Sequence, residues 1–83
     1  MPTDGTAPIS HDTEIDTSGL QCPLPILRAK KALNAMESGQ VLRVITTDPG
    51  AERDFQAFAV QTGNALLSQQ MDGQRGIHYL RRR

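Results

Sequence analysis

The chain has 83 residues, a formal net charge of zero, one tyrosine, two phenylalanines and a single cysteine, Cys22. A chain of this length builds one domain around one small core and leaves little room for a deep substrate cavity. Neutral charge and scarce aromatic side chains argue against a nucleic-acid binder, and one cysteine excludes both an intramolecular disulfide and a cysteine-rich zinc site.

Residues 1–11 are rich in Pro, Gly, Ser and Thr and read as a flexible N-terminal tail, with the folded domain at 12–83. This start has neither the basic residues nor the apolar run of a signal peptide. No stretch approaches the ~20 apolar residues of a membrane span. A cytoplasmic protein with a reduced thiol and no membrane partner is the expectation.

Asp12 to Thr17 alternates weakly around Ile15 and reads as a short, half-solvated strand closed by the Ser18-Gly19 turn signal. Ile26, Ala29, Leu33 and Met36 then recur at helical spacing, which predicts a helix from Pro23 to about Ser38, stopped by Gly39. Val41 to Thr47 is β-branched and apolar apart from Arg43 and reads as an inner strand. Asp48 reads as the N-cap of a second helix with Pro49 at its first position. Ala51, Phe55, Phe58, Ala59 and Thr62 form its apolar face, and Gly63 forms its end. Ala65 to Met71 and Ile77 to Arg81 read as a strand pair around a Gly-containing loop.

The order is βαβαββ. Right-handed crossovers favour parallel pairing of the early strands, and the closing hairpin is antiparallel. The expected fold class is α+β, a two-layer α/β sandwich with a four-stranded mixed sheet and both helices on one face. Gln69, Arg43 and Arg81 have the polarity for the uncovered sheet face.

Cys22 stands in Gly19-Leu20-Gln21-Cys22-Pro23-Leu24-Pro25, at the expected start of the first helix. Unpaired N–H groups of a first turn carry partial positive charge and favour a thiolate over a thiol. That placement predicts a moderately lowered thiol pKa. Pro23 and Pro25 fit a first turn, where their missing N–H groups would lack partners. A free cysteine is also a common small core residue. His78 reads as a structural or solvent-facing strand residue, and Arg53 and Asp54 as surface pairing residues. Arg81-Arg82-Arg83 reads as a solvated end.

The Gly-Leu-x-Cys-Pro-x-Pro run, a basic amphipathic helix after it, and Asp48-Pro49 before the second helix resemble the TusA/SirA sulfur-carrier family. The resemblance runs from about Glu14 to Tyr79. It implies a persulfide-carrying protein that is an enzyme only in the broad sense of a sulfurtransferase. Its partners would be a cysteine desulfurase or rhodanese-like donor and an acceptor protein cysteine, in tRNA thiolation, molybdenum cofactor synthesis or sulfur oxidation. By direct match Cys22 takes the carrier role, with Gly19, Pro23 and Pro25 as motif support. Asp48 and Lys30 match family positions associated with partner contact, and Lys31 lies beside Lys30. Leu24 fills a motif place where many tRNA-thiolation members carry an acid, which makes the flank of the sulfur more apolar. No cofactor, no metal, no direct nucleic-acid contact and a monomer are expected. Two other readings are a noncatalytic regulatory interaction module and an RNA-binding domain.

Overall fold

A computed structural model describes residues 9–83; the stretch 1–8 of the expected tail lies outside the described residues. The elements are β1 (Thr13–Asp16), α1 (Leu24–Asn34), β2 (Val41–Thr46), α2 (Ala51–Thr62), β3 (Ala65–Asp72) and β4 (Arg75–Arg81), the expected βαβαββ order. The sheet order is β1-β2-β4-β3. β1 and β2 are parallel, whereas β4 is antiparallel to both β2 and β3. Gly73, with φ +64°, opens the β3–β4 turn, and Asp72 pairs with Arg75 across it. A glycine with positive φ at the first of two central residues is the II′ hairpin pattern.

Because side chains alternate along a strand, Leu42, Val44 and Thr46 face the helices together with Leu80 and His78 of β4. Ala29 and Leu33 of α1 and Phe55 and Phe58 of α2 pack on that face, with Met36 and Ala51 completing the core. Each fully buried side chain of Leu or Phe size contributes about 1.5–3 kcal/mol, so Leu33, Leu42, Phe55 and Leu80 carry much of a small core. On the other face, Arg43 donates to Glu14 and to the Tyr79 hydroxyl, as its polarity suggested.

Three local readings are corrected. α1 ends at Asn34 instead of near Ser38, because Ala35 and Met36 donate to Ala32 and Leu33 in tight i→i−3 bonds. Gly39, with φ +89°, serves the turn into β2 and donates to the Arg82 carbonyl; it does not cap α1. Gln69 lies on the helix face, not the uncovered one. An irregularity between Leu66 and Ser68 adds a residue to β3 and switches the side chains after it to the opposite face. There Gln69 donates to the Glu52 carbonyl of α2 and accepts from Gln56.

Gln69 also organises His78, which is fully buried, stacked on Phe55 at 4.8 Å between ring centroids. Only the NH2 end of the Gln69 amide can face the Glu52 carbonyl. Its nitrogen therefore donates to His78 Nδ1 at 3.0 Å, and Nε2 carries the ring proton and donates to Thr46 Oγ1 at 2.8 Å. Burial pushes the imidazole down to about 4, so His78 is neutral at pH 7.

Candidate functional site at the sheet end carrying Cys22

β1 and β2 run parallel, so the β1–α1 and β2–α2 loops leave the same end of the sheet. The β3–β4 turn closes at that end as well, because β3 is antiparallel to β4 and β4 to β2. Cys22 lies in the first of these loops, and its thiol is exposed and free.

The loop is pinned on both sides. Thr17, buried at the end of β1, donates from its backbone and hydroxyl to the Ile45 carbonyl, at 2.8 and 2.6 Å. Asp16 accepts from the Ser18 hydroxyl and amide, and these bonds hold its carboxyl below the usual range. Gly19 takes φ +81°, a conformation that disfavours any side chain. Its amide donates to Thr47 Oγ1 at 2.8 Å, which ties the cysteine loop to the β2–α2 loop. Pro25 is buried and anchors the first turn of α1.

α1 starts one residue later than the sequence suggests, with Pro23 at the N-cap and Pro25 at the second helical position; the Cys22–Pro23 peptide is cis. Its first turn is poor in donors for an anion. Pro23 and Pro25 have none, and the Leu24 amide is bonded to the Gln21 carbonyl at 2.8 Å.

The second loop supplies carboxylates. α2 begins at Ala51 with Gly50 at its N-cap, two residues after the expected Asp48. Asp48 Oδ2 accepts from the Gly50 amide at 3.0 Å and its carbonyl accepts from the Ala51 amide, a turn that feeds the chain into the helix. Asp54 sits in the first turn of α2. A methyl group built on Gly50 would lie 3.2 Å from Asp48 Oδ2 and 3.7 Å from Asp54 Oδ2, so both carboxylates converge over that glycine. Among the described residues neither is in an ion pair.

These acids reverse the expected sign at Cys22. The thiol is pushed above its ordinary pKa, first by the Asp54 carboxylate, then by desolvation, and then by the charge of Asp48. The expected lowering assumed a free helix start; the prolines remove its donors, and α2 brings acids up against it. Asp54 is the residue that sequence reasoning missed as a site component. Its signal was available as an acid in the first turn of the second helix, but only the tertiary structure brings its charge to bear on Cys22.

The remaining sequence-nominated residues separate. Gly19, Cys22, Pro23, Pro25 and Asp48 gather at one sheet end. Lys30 and Lys31 are exposed, about 9 and 10.5 Å along α1 from its start at Leu24, at ~1.5 Å per residue. They also diverge: Lys30 borders a cleft with Phe58, Thr62 and Arg82, whereas Lys31 borders one with Ile15 and Asp16. Closer to the sulfur, Leu24 and Leu27 share one face of the first turns of α1, 43% and 53% exposed, and form an apolar flank.

The model of the Sulfurtransferase TusA family matches residues 13–82. The chain belongs to the TusA family. The sulfur carrier protein TusA of Allochromatium vinosum is 64% identical over 69 residues, covering 83% of this chain and 90% of that protein. A putative sulfur carrier protein of Neisseria meningitidis is 58% identical over 60 residues, 71% of this chain and 81% of its own length. The crystal structure of a SirA-like protein from Desulfitobacterium hafniense superposes with a TM-score of 0.74 at 28% identity, covering 84% of this chain and 96% of that one. Sulfur-carrier function of the TusA/SirA type therefore stands beside the matching α+β fold. Among the described residues no helix is long and apolar enough to cross a membrane.

Proposed function

We propose that Cys22 is the sulfur-carrying residue of this TusA family member. It accepts a sulfane sulfur from a cysteine desulfurase or rhodanese-like donor and hands it to a cysteine of an acceptor protein. The observation that carries this reading is the exposed, unpaired thiol at the rim where three loops of the domain meet. A persulfide there is reachable by a partner thiol, and with one cysteine in the chain it cannot be resolved internally. The sulfur leaves only by a second protein or an external thiol.

Gly19 and Pro25 hold the loop, Pro23 turns it into α1, and Asp48 shapes the facing loop. Leu24 and Leu27 supply an apolar contact surface beside the sulfur. Lys30 and Lys31 extend the partner contact along α1 in two directions. Residues 12–83 act as the carrier unit, as a monomer, in a reducing cytoplasm that keeps the thiol available. The acceptor belongs to tRNA thiolation, molybdenum cofactor synthesis or sulfur oxidation.

Incubation with a cysteine desulfurase and cysteine, or with a rhodanese and thiosulfate, is expected to add about 32 Da to Cys22, one sulfur atom. The Cys22→Ser variant should fold normally and take up none. Absence of the adduct with both donor classes, or full activity of Cys22→Ser in cells, would replace the carrier reading with that of a regulatory interaction module.

A further inference from the structure

β1 and β2 separate through a side-chain bond. The Thr17 amide donates to the Ile45 carbonyl at 2.8 Å, which carries the parallel ladder one residue past β1. Two residues on, a regular parallel ladder would send the Gly19 amide to the Thr47 carbonyl. It goes instead to Thr47 Oγ1, at 2.8 Å. The hydroxyl replaces the carbonyl of the next rung, so the two chains diverge towards α1 and α2 and still stay bonded. Among the described residues this is the only hydrogen bond between the cysteine loop, residues 18–23, and the β2–α2 loop. The two sides of the bond differ in support. Thr46, just before Thr47, is fully buried, pairs with Gly76 of β4 and is bonded to His78 at 2.8 Å. His78 is held in turn by Gln69, which reaches the Glu52 carbonyl of α2. Gly19, by contrast, is exposed, and a methyl group on it would meet nothing within 4 Å. The sulfur therefore sits on a short span between two fixed points, the Gly19–Thr47 bond and the buried Pro25.

We propose that Thr47 is a positioning residue for sulfur exchange: its hydroxyl, standing on the buried Thr46–His78–Gln69 chain, holds the Gly19 turn and so sets where the Cys22 sulfur is presented to a partner protein. This rests on Cys22 being the carrier residue.

In the exchange, the Cys22 thiolate attacks the terminal sulfur of the partner's cysteine persulfide. The Cys22 S–S bond forms as the partner's S–S bond breaks, and the partner's cysteine sulfur departs as thiolate with the electron pair. One thiolate and one persulfide stand on each side, so no oxidant or reductant is required. The two reacting sulfurs belong to two docked proteins, so the geometry of attack is set by where each protein holds its sulfur. A misplacement of about 1 Å in such a step costs on the order of 10²-fold in rate. Thr47 acts on this placement through Gly19 and takes no part in the bond changes. A small diffusing reagent makes no such demand, because it approaches the exposed thiol freely. Position and reactivity are therefore separable at Cys22. The Gly19 amide is at the surface, so water replaces a lost acceptor and the fold survives its removal.

The test compares Thr47→Val, which removes the acceptor, with Thr47→Ser, which keeps it. Single-turnover sulfur transfer from a persulfide-charged cysteine desulfurase is measured against desulfurase concentration. Thr47→Val is expected to lower the maximal rate about fivefold to tenfold, part of what a full 1 Å displacement costs. Its half-saturating desulfurase concentration should stay within about twofold of native, the mark of a loss confined to the transition state. Thr47→Ser should transfer at close to the native rate. Alkylation of Cys22 by iodoacetamide, which reads the thiol and not its orientation, should stay within about twofold in all three proteins. Native transfer rates in Thr47→Val overturn the proposal. So does a Thr47→Ser variant as slow as Thr47→Val, which would assign the effect to the lost methyl packing. Alkylation that falls in step with transfer also overturns it, by placing the effect on the reactivity of the thiol. A native chain whose Cys22 gains no sulfur fails on the carrier reading and takes this role with it, an outcome distinct from the others, in all of which native Cys22 is charged.

Discussion

The two helix starts that meet at Cys22 are built in opposite ways. α1 begins with two prolines and one amide already bonded to Gln21, so it offers the sulfur few donors. α2 begins with carboxylates: Glu52 and Asp54 lie in its first turn and Asp48 just before it. Acids there are what a helix N-terminus favours, each worth about 0.3–1 kcal/mol. Two of these charges, Asp54 and Asp48, also act on the thiol. A helix start is thus no guarantee of an activated cysteine; the neighbouring element decides the sign.

The contrast breaks most easily from below α2. Gly76 of β4 lies under the β2–α2 connection, and a methyl group on it would come within 2.8 Å of Thr46 Oγ1 and 2.9 Å of His78 Nε2. Those atoms are bonded to each other and have no room to yield, so Gly76→Ala should cost about 2–3 kcal/mol in denaturant unfolding. On the α1 side Gly19 has open space around its missing side chain. Gly19→Ala should cost only the left-handed backbone, about 1–2 kcal/mol. Equal losses would show that the two loops are supported alike.

A smaller effect comes from His78, whose ring holds Gln69 and, through it, the Glu52 carbonyl at the α2 start. Its folded pKa of about 4 lies below the ordinary 6.5, so between these values the unfolded chain binds the proton that the folded one refuses. The stabilisation is full above pH 6.5 and is lost as pH falls through 4, a loss of order 2 kcal/mol. Denaturation curves at pH 7 and pH 4.5 should show that fall for the native chain and a smaller one for His78→Gln. Equal falls would remove His78 from the support of α2.

The finest adjustment is Asp48→Ala. It removes the side-chain acceptor for the Gly50 amide and should cost about 1 kcal/mol. It also removes the weakest of the influences raising the Cys22 pKa, so alkylation of the thiol should rise by less than in Asp54→Asn. A larger rise than with Asp54→Asn would make Asp48 the dominant acid.

Most of the fold was legible because its signals are local. The spacing of Ala29, Leu33 and Met36, the β-branched run from Val41, and Gly63 with its left-handed φ of +81° each report an element through its own residues. The helix ends were less legible, since two i→i−3 bonds stop α1 at Asn34 and an aspartate turn delays α2 to Ala51. The irregularity after Leu66 carries no clear residue signal, and it alone turned Gln69 from the uncovered face to His78.

At the site, the sequence by itself determined the carrier candidate and its loop: the lone Cys22, Gly19 where φ must be positive, and prolines that begin a helix. These are properties of single residues and short motifs. Only the tertiary structure decided what surrounds the sulfur. Parallel pairing of β1 with β2 sets two loops separated by nearly thirty residues side by side, joined by the Gly19–Thr47 bond. Electrostatic influence depends on distance in space and not along the chain, so Asp54 acts on Cys22 while Lys30 and Lys31, far nearer in sequence, do not.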